Sequence, residues 1–151
     1  MLSGLCVGTF LALGGGGVVI ANLSRQVTVS HSRFISIGQS GVMLVGNEST
    51  QASNCSVLGN TMLGIGEVLS AAAGVFVTSA SFIVVRDNNI SNTSRWGIAV
   101  RSNRGAPSHD VVVEHNRLRH IGLRTADMGA ISFIDHTESH DVQVRTVERA
   151  G

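Results

Sequence analysis

The sequence has almost no proline: Pro107 stands alone in 151 residues. Proline removes a ladder donor and interrupts strands, so its scarcity leaves room for uninterrupted strand pairing. Lysine is absent, every basic residue being arginine, which reads as coding bias before function. Charged residues are few, 14% against 43% hydrophobic, and that balance excludes a disordered chain. Eleven basic and ten acidic residues leave a formal net charge of +1. No block of like charge forms the patch or stripe that a nucleic-acid binder shows, so no nucleic acid is expected as partner. Two cysteines, Cys6 and Cys55, are too few for a disulfide framework and fit as small buried hydrophobes. The apolar first twenty residues lack a positive leading region and are broken by Gly14 to Gly17. That speaks against both a signal peptide and a membrane span. No segment keeps a 3.6-residue apolar stripe, which leaves amphipathic helices out.

What is abundant is glycine, 18 residues in all, with valine and isoleucine in short runs. Glycine suits tight corners and the β-branched residues suit strands. Rows started at Val27, Cys55, Ile83 and Val111, each 28 residues after the last, agree column by column. Val29, Val57, Val85 and Val113 share one column. Ser32, Asn60, Asn88 and Asn116 share another, and Phe34, Met62, Ile90 and Leu118 a third. Ile37, Ile65, Thr93 and Ile121 follow, then Gly38, Gly66, Ser94 and Gly122. After a spacer of variable length each row restarts with a glycine and a strand, at Gly41, Gly74, Gly97 and Gly129. A shorter row opens at Ser3, with Phe10, Leu13 and Gly14 in the matching columns, and a further row begins at Val142.

Such a row cannot bury its apolar side chains alone. Stacked on the next, about 4.8 Å away, it lines valine on valine and isoleucine on isoleucine into a continuous core. The expected fold is all-β, a parallel β-helix solenoid forming one domain over residues 1–151. Its five rungs, of about 24–31 residues, cover 3–26, 27–54, 55–82, 83–110 and 111–141, with a partial rung at 142–151. The asparagine column predicts a ladder of side-chain amides along the solenoid axis. Neither end shows a polar capping helix, so the chain is expected to be a piece of a longer solenoid, with further rungs missing.

The pattern Val-x-Val-x-x-Asn-x-Ile, a variable turn, then Gly-Ile-x-Val resembles the pectate-lyase-like right-handed parallel β-helix superfamily over essentially the whole chain. The resemblance implies a secreted or extracellular, carbohydrate-active protein that binds polysaccharide or oligosaccharide. It includes polysaccharide lyases and glycoside hydrolases as well as non-catalytic surface proteins. It also implies a groove on the outer face of one sheet, here that of the strands after Gly41, Gly74, Gly97 and Gly129. Alternation puts Val42, Val75, Ile98 and Ile131 inside. Met43, Phe76, Ala99 and Ser132 then face out, with Val45, Thr78, Arg101 and either Ile134 or Asp135 beyond them.

On that face the C-terminal rungs carry the polar groups. Asp127, Asp135 and Arg101 are the candidate catalytic residues, with Asp127 and Asp135 as the carboxyl pair that glycoside hydrolysis needs. The segment from Thr125 to Ile131 resembles a short motif of several β-helix glycan-active proteins. Trp96, Arg124, Ser132 and His136 are candidate substrate contacts, Trp96 by stacking on a sugar ring. Each also has a plain structural reading: a turn carboxylate for Asp127, solvated turn residues for Asp135 and His136, a packed turn residue for Trp96, and an ion pair to a neighbouring rung for Arg101. No cofactor is expected. Calcium enters only through the resemblance, and the carboxylates for it are too few on this face. The column His31, Gly59, Asp87, His115 offers two adjacent metal ligands, which do not make a zinc site; an ion pair at the corner is the expectation. Five Asn-x-Ser sequons, at Asn22, Asn47, Asn54, Asn89 and Asn92, lean toward a secreted protein. Two function classes stay open: a hydrolase-like enzyme, or a non-catalytic solenoid that binds glycan through Trp96 and Phe76 or serves as structure.

Overall fold

The computed structural model describes residues 4–135 and 142–149, all of it strand, turn and corner. Each rung contributes three strands. The first set is β1 (Gly4–Cys6), β4 (Val27–Ser30), β7 (Ser53–Leu58) and β10 (Ser81–Arg86). The second is β2 (Thr9–Leu13), β5 (Arg33–Ile37), β8 (Thr61–Ile65) and β11 (Asn89–Thr93). The third is β3 (Val18–Ala21), β6 (Val42–Val45), β9 (Ala73–Thr78), β12 (Trp96–Ser102) and β14 (Gly129–Asp135). One long strand, β13 (His109–Ile121), runs through the first and second positions of its rung and joins those two faces into a ten-stranded sheet, with β15 (Val142–Arg149) paired to it. The third face is a separate five-stranded sheet, ordered β14-β12-β9-β6-β3.

Every pairing between these strands is parallel, and the register follows the repeat. Ile83 lies opposite Cys55 and Val111, Ile90 opposite Met62 and Leu118, and Ile98 opposite Val75 and Ile131. The short first row joins as expected, Phe10 opposite Phe34 and Val18 opposite Val42, and Val142 lies opposite Val111. The inward columns are the buried core. Phe10 stacks on Phe34 at 4.7 Å between ring centroids.

Between the first and second strands the chain turns on one left-handed residue per rung: His31, Gly59, Asp87 and His115, with φ of 49°, 61°, 57° and 54°. Glycine adopts that conformation freely, and Asp and His are enriched in it. This column is therefore a backbone requirement. The ion pair expected there is not present: among the described residues Asp87 and His115 form none.

The next residue carries the ladder. Asn60 donates through Nδ2 to Asn88 Oδ1 (3.0 Å) and to the Val29 carbonyl (3.0 Å). Asn88 repeats this to Asn116 Oδ1 (2.9 Å) and the Val57 carbonyl (2.9 Å). The backbone N–H groups of Ser32, Asn60 and Asn88 donate to the amide oxygen of the following rung. All three asparagines are buried.

The glycines at the start of β3, β6, β9 and β12 have a steric cause. A Cβ on Gly74 would come within 2.5 Å of Ile90 Cγ2 and 2.8 Å of the Gly97 carbonyl oxygen. The chain passes here between the large core residue of the second face and the backbone of the next rung.

Candidate functional site

The outer face of the five-stranded sheet is arranged as the alternation predicts. Met43, Phe76, Ala99 and Ser132 are in register across it, and so are Val45, Thr78, Arg101 and Ile134. The candidate residues, however, fall into two groups at opposite ends of the strands.

At the end where the strands begin, Arg95 organises the surroundings, and the sequence reading missed it. Its guanidinium lies 4.1 Å from the Trp96 ring centroid. Its Nε donates to the Asp127 carbonyl (2.9 Å), and its Nη2 pairs with Asp127 Oδ2. Trp96, placed in a turn by the sequence pattern, lies in a strand. It starts β12, is 6% exposed, and packs with Ala73, Ala99, Phe76 and Ile134. A guanidinium over the indole and an apolar cluster around it hold the ring in place. The available signal was an Arg-Trp pair with an acid one rung on.

Asp127 is 86% exposed at its side chain and bound to Arg95. Arg124 lies in the adjoining turn, but its Nη1 donates to the Glu67 carbonyl (2.6 Å), so its head group runs along the axis. It borders a small cavity of about 180 Å³ over Thr93 and Ser94.

At the other end are Arg101 and the backbone of Asp135, which lies opposite Ser102. Arg101 is half-buried, its Nε is buried without a hydrogen-bond partner, and it forms no ion pair among the described residues. The side chain of Asp135 and all of His136 lie outside the described residues. Ser132 is half-buried in the middle of the face.

This division sets the two members of the expected carboxyl pair at opposite ends of the sheet. Asp127 sits beside Arg95, at the start of the sheet, and Asp135 ends a seven-residue strand. Six steps of about 3.3 Å put the ends of that strand roughly 20 Å apart. Two carboxyl groups that flank one glycosidic bond stand about 5–9.5 Å apart. Metal chemistry has no better support: among the described residues no three His, Cys, Asp or Glu gather into a metal-holding group. The calcium implied by resemblance does not fit the described residues of this face, which gather too few carboxylates to hold it.

The five sequon asparagines, Asn22, Asn47, Asn54, Asn89 and Asn92, are all exposed. Asn47 closes its own turn, its Oδ1 accepting from the N–H of Ser49 and Thr50 (both 2.9 Å). Burial pushes the Cys55 thiol above its ordinary pKa, backbone hydrogen bonds opposing this in part. Neither cysteine is in a disulfide.

A family model described as a right-handed β-helix region matches residues 9–145. No curated protein and no solved structure matches the chain.

Proposed function

The chain belongs to the right-handed β-helix family, and on that premise we propose that it is an extracellular polysaccharide-binding solenoid, with the glycan lying along the outer face of the five-stranded sheet. The observation that carries this reading is Phe76. Its ring faces outward, half-exposed, in the middle of the sheet, and rests against Trp96 at 6.4 Å between centroids. An aromatic ring braced by a neighbouring ring is a platform for the apolar face of a sugar. Arg101, on the next outward row, supplies a guanidinium unclaimed by any described carboxylate. A hydrophobic platform with a few placed polar groups is the make-up of a small-ligand site. The exposed sequons support an extracellular setting. Among the described residues no helix is long and apolar enough to cross a membrane.

Binding is favoured over hydrolysis because Asp127 is paired with Arg95 at one end of the sheet while Asp135 ends its strand at the other, roughly 20 Å away. The test is binding to a panel of neutral and acidic polysaccharides, read together with new reducing ends and with ultraviolet absorbance from unsaturated products. The expected result is binding without turnover, weakened about tenfold by Phe76→Ala, the loss of one stacking contact of ~1–1.5 kcal/mol, and unchanged by Asp127→Asn. A folded Phe76→Ala chain that binds as tightly as the parent overturns the reading. Reducing ends that disappear in Asp127→Asn restore the hydrolase.

A further inference from the structure

The turns that follow the third strands differ in length. After β6 the chain makes a long turn over 46–52, and after β12 another over 103–108. Between them β9 passes through Ser79 and Ala80 straight into β10. Rungs stack in order, so the two long turns stand as walls on either side of a rung that has none. Their backbones are about 10 Å apart, twice the strand spacing.

The result is a cleft of about 500 Å³, with Asn47, Glu48 and Thr50 on one wall and Asn103, Arg104 and Ala106 on the other. It is an open surface cleft, with room for one small polar group such as a single sugar residue. The cleft is built and braced. Asn103 Nδ2 donates to Thr78 Oγ1 (3.1 Å) and Ser79 Oγ (3.0 Å), which ties one wall to the short rung; those two residues are 8% and 0% exposed. Gln51 Nε2 donates to the Pro107 carbonyl (3.4 Å), which ties the two long turns to each other.

Two charged groups border this cleft without partners among the described residues. The Glu48 carboxylate leans onto the opposite wall, so close that a Cβ on Gly105 would come within 2.6 Å of Oε1. Arg104, one residue before that glycine, is exposed. The two form no ion pair with each other or with any described group.

A carboxylate only accepts and a guanidinium only donates. Groups that satisfy both are hydroxyls, which donate to one and accept from the other. We propose that this cleft seats one sugar residue of the bound polysaccharide, with adjacent hydroxyls donating to Glu48 and a further hydroxyl accepting from Arg104. The walls stop a chain from continuing along the solenoid axis through the cleft, so the residue seated is a chain end or a branch. This inference rests on the polysaccharide reading and adds a subsite beside the Phe76 face.

The test uses the full chain, labelled with ¹⁵N, titrated with neutral hexoses and hexuronic acids and, separately, with the panel of polysaccharides. For at least one sugar, amide shifts are expected within 47–50 and 103–106, with affinity reduced at least about tenfold by Glu48→Gln. Ser49→Phe, which plugs the cleft from an exposed turn position, removes those shifts, and unchanged thermal melts certify both variants as folded. Sugar shifts confined to the Phe76 and Arg101 face overturn the cleft and leave the polysaccharide reading standing. So does polysaccharide binding that neither variant alters. Absence of binding to any sugar or polysaccharide overturns both.

Discussion

The corners of this solenoid are of two kinds. Between first and second strands the corner is the same in each complete repeat: a left-handed residue, then Ser32, Asn60, Asn88 or Asn116, buried and bonded rung to rung. The other corners change length from rung to rung and carry the exposed polar groups, among them Arg95, Arg124 and Asp127 on one side of the five-stranded sheet and Glu48 and Arg104 on the other. The difference lies in where the hydrogen bonds go. In the ladder a side chain bonds its own rung and its neighbour, so an insertion in one rung would leave buried donors unpaired in two. In the turn at 46–52 the Asn47 side chain bonds residues of its own turn, and the side-chain bond from Gln51 to the Pro107 carbonyl of the other long turn is outside the buried core. Variable corners on a rigid scaffold are where binding groups can be placed without disturbing the core.

The sharpest way to break this comparison is to truncate one asparagine of each kind. Asn88 accepts from the backbone N–H and the side-chain amide of Asn60, and donates to Val57, Arg86 and Asn116. Asn88→Ala leaves several buried groups unpaired and is expected to cost on the order of 3 kcal/mol. Asn103, half-buried in a variable corner, donates to the hydroxyls of Thr78 and Ser79, and Asn103→Ala is expected to cost about 1–2 kcal/mol. Urea unfolding of both variants measures the pair. Equal losses would mean that the constant corner is no more structural than the variable one.

A smaller effect of opposite sign is expected at Thr93, where the core column of Ile37, Ile65 and Ile121 meets a variable corner. Its hydroxyl is buried and has no hydrogen-bond partner among the described residues. Thr93→Val keeps the shape and removes the unpaired group, so it is expected to stabilise the chain by about 1 kcal/mol. A loss of stability instead would show that the hydroxyl serves the turn and not the core.

The same contrast sets what the sequence makes legible. The constant features recur at 28 residues because they are side chains stacking on their own kind, and a column of like residues shows on inspection. The core, the asparagine ladder and the glycine before each third strand are of this sort. The His31, Gly59, Asp87, His115 column was visible too, but as a mixture of ligand types. Its meaning is backbone conformation, which residue chemistry alone disguises. The variable corners defeat column reading. Arg95 meets Asp127 across 32 residues, a spacing that follows from two unequal turns. The distance between Asp127 and Asp135 is set by how long β14 runs. The cleft beside Glu48 exists because one rung lacks a turn that its neighbours have, a relation among lengths and not a motif.

The mildest probe asks how dry the constant stack is. Cys55 is a buried member of the core, and loss of hydration holds its thiol above the ordinary value. Below about pH 8.5, the pKa of a free thiol, folded and unfolded chains are both protonated there and the contribution to stability is full. As pH rises past that value the unfolded chain ionises first, so stability falls until the folded thiol ionises as well. Cys55→Val places at this position the residue found at Val111 two rungs on, and it removes the titrating group. Urea unfolding between about pH 7.5 and 10 is expected to show the parent losing more stability than the variant. Parallel curves for the two proteins would mean that water reaches the stack at this rung, and that the first face is less tightly closed than the buried columns of the other two.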